Sequence, residues 1–144
     1  VILVGEGPER GALQEFIDDN GLNENVILKG FQENPYPYIK MSDIYINTSI
    51  TEGCPNAIQE ALCLGVPVIA TDSPGGTSEV LSYGKRGVLV PVNSPRHIAN
   101  AVLAFMKGKA LNNEGLDGLE SEYSAISISK KYLTILNDSM RPLN

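Results

Sequence analysis

A single glycine divides a helical pattern from a wholly apolar strand within residues 51–72, Thr-Glu-Gly-Cys-Pro-Asn-Ala-Ile-Gln-Glu-Ala-Leu-Cys-Leu-Gly-Val-Pro-Val-Ile-Ala-Thr-Asp. Pro55 suits a first helical turn, where its missing N–H would have no intrahelical partner. Gly65 can take the left-handed conformation that ends a helix. The spacing therefore predicts a loop, a helix over 55–64 and a strand over 66–70. A chain that alternates strand and helix in this way is committed to a layered α/β fold with parallel strands.

The apolar residues Ala57, Ile58, Ala61, Leu62 and Leu64 leave Gln59 and Glu60 on another side, so Glu60 projects into a cleft or into solvent. Unpaired N–H groups of the first turn, beside a Gly53 that adds no bulk, make an anion site. Glu60 lies roughly 7 Å further along the axis at 1.5 Å per residue. That separation suits a nucleoside diphosphate: amides for phosphate, Glu60 for ribose hydroxyls, Glu52 for whatever the phosphate carries. From spacing alone the plainer reading is favoured, a surface loop and an amphipathic helix with solvated glutamates.

The remaining pattern supplies the frame. Val1-Ile2-Leu3-Val4 reads as a strand buried on both faces of a parallel sheet, followed by a Gly5-x-Gly7-Pro8 turn. A helix opens at Pro8-Glu9, with Leu13, Phe16 and Ile17 inward and Gly21 as its stop. Strands are expected at 26–28, 43–49, 66–70 and 87–90, and a short helix over 77–81. Arg10 occupies the place of the third glycine of a dinucleotide fingerprint, so the Gly-x-Gly is most simply a turn. Asn34 to Met41 reads as a short helical connection whose tyrosines wedge between layers. A further helix follows Asn93-Ser94-Pro95, with Ile98, Val102, Leu103 and Phe105 or Met106 inward. Residues 109–119 read as a loop or linker, and 123–136 as a last helix.

Length and charge narrow the classes. The 144 residues make one domain's worth of chain, with 42% hydrophobic residues and a net charge of -6. That balance argues against a nucleic-acid backbone as partner. No apolar run is long enough to cross a bilayer, and no signal peptide is visible. The sequence begins at Val1, inside a strand, and is read as a piece of a longer protein. Two cysteines are too few for a disulfide framework, so a reducing cytoplasm is expected, with Cys63 as a small core residue. His97, the only histidine, has no second ligand or nucleophile near it in the pattern and is read as structural or solvent-facing.

Glu-Gly-Cys-Pro-Asn-Ala-Ile-Gln-Glu-Ala-Leu-Cys-Leu-Gly-Val-Pro-Val-Ile-Ala-Thr-Asp, followed by Ser-Pro-Gly-Gly, resembles the Glu-x7-Glu signature of the family 4 retaining glycosyltransferases (glycosyl transferases group 1). These have the two-Rossmann-domain architecture called GT-B. The resemblance implies a Rossmann-like, doubly wound parallel sheet flanked by helices, the C-terminal, donor-binding part of a GT-B fold, over residues 1–144. It implies transfer of a sugar from a nucleotide-diphosphate sugar, UDP-linked by preference, to a glycan or lipid-linked acceptor in polysaccharide biosynthesis. Glu52 would be catalytic, hydrogen-bonding the donor sugar. Gly53, Cys54, Pro55 and Asn56 would line the sugar and diphosphate, Pro55 offering only its carbonyl. Glu60 would grip the ribose, and the loop carrying Phe31 and Gln32 would meet the base, although from the residues alone a core plug is the favoured reading of Phe31.

The resemblance further implies an N-terminal Rossmann domain as partner, an upstream basic pair for the leaving diphosphate, and peripheral membrane contact through that other domain. No Lys or Arg occurs from Met41 to Gly84, so the motif region itself offers no cation to a diphosphate. No Asp-x-Asp occurs anywhere, which disfavours a metal-chelating route, and the resemblance implies a transfer that needs no metal or other cofactor. This chain alone is then expected to bind UDP weakly and to transfer nothing. Three rivals stand: a glycosidase, which wants both acids on one sugar carbon, a nucleotide-sugar 2-epimerase of the same fold, and a binding-only module.

Overall fold

The computed structural model describes residues 1–139, which divide into a compact unit Val1–Met41 and a second beginning at Ser42. The first contains β1 (Ile2–Val4), α1 (Arg10–Asp19), β2 (Ile27–Gly30) and α2 (Tyr36–Lys40), with β1 and β2 paired in parallel. Ile17 is its deepest side chain, 4% exposed, whereas Leu13 and Phe16 are exposed. All three residues of β1 are exposed as well, which corrects the expectation of a strand covered on both faces. One helix packed on a two-stranded ribbon has too little surface to cover two sides. Tyr36 is also exposed instead of wedged, while Tyr38 is half-buried with its hydroxyl on the Gln32 side chain.

The second unit is built on a three-stranded parallel sheet, β3 (Tyr45–Asn47), β4 (Val68–Thr71) and β5 (Val88–Val90), in that spatial order. Tyr45 pairs with Val68 and Asn47 with Ala70, while Thr71 pairs with Val90. Every residue of β4 is buried, as its unbroken apolar pattern requires of a central parallel strand. α3 (Asn56–Cys63) sets Ile58, Ala61 and Leu62 into this core. Its end is a Schellman cap: Gly65, at φ +74°, donates to Leu62 O at 2.9 Å and Val66 donates to Ala61 O at 2.9 Å. Pro55 is the residue before the helix and not its first turn, because its ψ of 71° is non-helical; the next peptide N–H, of Asn56, turns back to Cys54 O.

α4 (Thr77–Val80) follows β4, α5 (Pro95–Met106) follows β5, and α6 (Leu119–Glu122) and α7 (Ala125–Ser139) complete the described chain. On α5, Ile98, Val102 and Phe105 are half-buried, but Leu103 and Met106 are exposed, which narrows the expected inner face. No regular element lies between α5 and α6. The sequence pattern gave no sign of α6, a single turn whose Leu119 is 1% exposed and which packs on α3. Arg86 and Lys131 both approach Glu122 at 3.8 Å, but these are partly solvated pairs and add little.

Core position rather than apolar identity sets the cost of truncation. Leu62→Ala, at 2% exposed, is expected to lower unfolding free energy by about 2–5 kcal/mol, and Leu103→Ala, at 51% exposed, by under about 1 kcal/mol. Urea unfolding midpoints of the two variants check the contrast.

Candidate functional site

β3 ends at Asn47 and releases a loop that reaches α3 at Asn56, and Glu52 lies within it. The loop is tied down at three points. Asn47 Oδ1 accepts the Ser49 N–H at 3.1 Å, Thr71 Oγ1 donates to Ser49 O at 2.5 Å, and the Glu52 N–H donates to Pro74 O at 2.9 Å. The Glu52 carboxylate is held as well: Ser49 Oγ donates to Oε1 at 2.6 Å and Asn47 Nδ2 donates to the same oxygen at 3.3 Å.

The segment after β4 closes on this loop. A Cβ built on Gly75 would lie 1.4 Å from the Glu52 carbonyl oxygen, and Gly75 has φ +101°. Glycine is required there on two separate grounds, backbone conformation and contact with another backbone. A Cβ on Gly76 would sit 3.6 Å from Gly53 O and 3.6 Å from the Pro55 ring. The Gly75-Gly76 pair thus seats the loop that carries Glu52. Behind it, the buried hydroxyls of Ser73 and Thr77 bond at 2.7 Å, and Ser78 bonds Asp72.

At the start of α3 the Asn56 N–H is taken by Cys54 O at 2.8 Å. The Gly53, Cys54 and Ala57 amides meet no acceptor among the described residues. Cys54 is exposed; its thiol contacts Asn56 Oδ1 and accepts from Gln59 Nε2, each at 3.4 Å. Cys63 is half-buried instead of fully in the core, and its thiol pKa is raised by burial first and then by Glu120, Glu122 and Glu60.

Tyr45 lies on β3, two residues before Asn47. Burial pushes its phenol above 10.0, the Asn47 side chain acts the other way, and the Glu60 and Glu52 carboxylates both add to the rise. In the sequence, positions 45, 47 and 49 alternate with Ile44, Ile46 and Thr48 as one side of a strand does.

Phe31 and Gln32 lie in the first unit, directly after β2. Phe31 is 74% exposed, so it does not plug a core. Gln32 donates to Lys29 O at 3.2 Å and accepts from the Tyr38 hydroxyl at 3.1 Å. Arg10 lays its guanidinium on Glu6 at 3.1 Å and on Leu28 O at 3.3 Å, a structural use of the place where a dinucleotide fingerprint has glycine. His97 is exposed in the first turn of α5. Among the described residues no group of three or more His, Cys, Asp or Glu could hold a metal ion, and no helix is long and apolar enough to cross a membrane.

The model of the family described as glycosyl transferases group 1 matches residues 1–108, three quarters of the chain and the whole of the site. The chain belongs to this family. Among curated relatives, an uncharacterized glycosyltransferase of Methanocaldococcus jannaschii is 38% identical over 102 residues, 62% of the chain and 25% of the relative. N-acetyl-alpha-D-glucosaminyl L-malate synthase of Bacillus anthracis is 30% identical over 145 residues, 98% of the chain and 38% of the relative. Among solved structures, a Staphylococcus aureus TarM mutant in complex with fondaparinux, alpha-GlcNAc-glycerol and UDP superposes with TM-score 0.81 at 27% identity, covering 94% of the chain and 28% of TarM. Anabaena HepE in complex with UDP gives 0.80 at 22% identity, over 95% of the chain and 40% of HepE, a likeness of fold. The chain therefore spans a quarter to two fifths of the length of these proteins. They bear out the α/β, GT-B reading of the sequence.

Gly75→Ala is expected to cost about 2–4 kcal/mol, since it adds overpacking against a backbone to a strained φ. Thermal unfolding measures it. Glu60→Gln removes an anion that disfavours the phenolate, so Tyr45 should ionise closer to 10.0 in that variant, as read from its ring carbon shift in an alkaline titration. Because the folded chain holds this proton more firmly than the unfolded one, its stabilising share is present below pH 10.0 and is lost as pH rises through the folded value.

Proposed function

We propose that this chain is the donor-binding part of a retaining glycosyltransferase that transfers a sugar from a nucleotide-diphosphate sugar, UDP-linked, to a glycan or lipid-linked acceptor. The observation that carries the reading is the Glu52 carboxylate held by Ser49 and Asn47 in the loop that leads into α3, with Glu60 further along that helix. Glu52, held by Ser49 and Asn47, hydrogen-bonds the donor sugar. Gly53, Cys54 and Asn56 line the sugar and diphosphate, the Gly53, Cys54 and Ala57 amides facing the anion with Pro55 as the spacer that turns the chain into the helix. Glu60 holds the ribose, and Phe31 and Gln32 meet the base, the exposed ring of Phe31 supplying a stacking face.

Amides at a helix start supply a local positive field, worth most where water is excluded. Within the segment Met41–Gly84 there is no cation, so the reading also requires lysine or arginine from outside it for the leaving diphosphate. The donor is the only small molecule that the reading calls for; it invokes no metal or other cofactor. Its macromolecular partners are an N-terminal Rossmann domain and the acceptor, with peripheral membrane contact made through that domain and the donor site facing the cytoplasm. Support for transfer over epimerisation comes from the relatives, which are named as transferases or synthases, among them one for poly(ribitol-phosphate) and two for lipopolysaccharide core.

Calorimetric or chemical-shift titration with UDP tests the ribose contact. Glu60→Ala is expected to weaken UDP binding about tenfold, roughly 1.4 kcal/mol for a lost charge-assisted hydrogen bond. Equal affinity of the variant and the unmodified chain would remove the ribose role from Glu60.

A further inference from the structure

The Glu52 carboxylate is fixed by one edge only. Both of its donors, Ser49 Oγ at 2.6 Å and Asn47 Nδ2 at 3.3 Å, converge on Oε1, and among the described residues no donor meets Oε2. Rotation of the carboxylate would break two hydrogen bonds at once, so the group has a preferred face. The donors are in turn fixed. The Asn47 amide is bound at both ends, its Oδ1 by the Ser49 N–H and its Nδ2 by Glu52. Ser49 is held from behind by Thr71, 1% exposed at the end of the neighbouring strand. The bracket thus runs from the buried central strand β4 out to one carboxylate oxygen.

We propose that Asn47 and Ser49, backed by Thr71, are positioning residues that set the Glu52 carboxylate so that Oε2 is presented to the hydroxyls of the donor sugar. The inference rests on the sugar-gripping role of Glu52. It adds that this role depends on three side chains outside the Glu-x7-Glu stretch. Positioning of this kind acts on the sugar and leaves the nucleotide alone, because the ribose contact lies on α3 and shares none of these bonds.

The experiment measures binding of UDP and of whichever of UDP-glucose, UDP-galactose and UDP-N-acetylglucosamine the unmodified chain binds tightest. Ser49→Ala is expected to weaken the UDP-sugar about tenfold while leaving UDP within about twofold. Ser49→Thr, which keeps a hydroxyl at the same place, restores the UDP-sugar affinity. Asn47→Asp keeps an acceptor for the Ser49 N–H but sets an anion against Glu52, and loses the sugar increment in the same way. Equal weakening of UDP and UDP-sugar in Ser49→Ala would overturn the proposal, since it marks a fold defect. So would full UDP-sugar affinity in Ser49→Ala alongside a loss in Glu52→Ala. Full UDP-sugar affinity in Glu52→Ala itself would instead remove the sugar-gripping reading, and this proposal with it.

Discussion

The carbonyl oxygen of Glu52 occupies the place where any side chain at position 75 would begin. That contact of backbone on backbone is the constraint on which the site depends. It sets the Glu52 loop directly against the segment leaving β4, and the Glu52 N–H to Pro74 O bond locks the same two segments in register. The central strand is buried along its whole length, so the segment it releases is anchored by the core and passes that rigidity to the loop. Functional groups on loops gain precision only when a rigid element stands behind them, and here β4 is that element.

Electrostatically the site is assembled from partial charges and two carboxylates. No Lys or Arg occurs between Met41 and Gly84, so within that segment the positive groups are backbone amides. Under the proposed donor-binding role, the amides attract the anionic centre of a ligand while the two carboxylates accept its hydroxyls. Tyr45 is a neutral hydroxyl, its proton kept on by burial first and then by both anions.

Much of this was legible in the chain itself. The helix before Gly65, its glycine cap, the apolar run of β4 and the parallel α/β class all follow from local periodicity and backbone preference. The Glu-x7-Glu spacing, set in its flanking residues, singled out the family that the comparisons then bore out. The errors fall where local pattern meets an unknown neighbour. Leu13, Phe16, Leu103 and the residues of β1 are apolar at the right spacing but exposed in the described structure, because periodicity says which side of an element is apolar and nothing about what covers it. α6 was invisible because a single turn carries no period to detect.

By itself the sequence determined the elements, their order, the glycine and proline punctuation, and two acids eight residues apart, since each depends on interactions within a few residues along the chain. Tertiary structure alone decided that Gly75 would bear on Glu52, that Thr71 would hold Ser49, and that Asn47 and Ser49 would share one oxygen of one carboxylate. Thr71 ends β4 and Ser49 lies in the loop after β3, 22 positions apart in the sequence, and Gly75 meets Glu52 from 23 positions away. Contacts of that kind are fixed by strand pairing and burial, which no local rule of spacing contains.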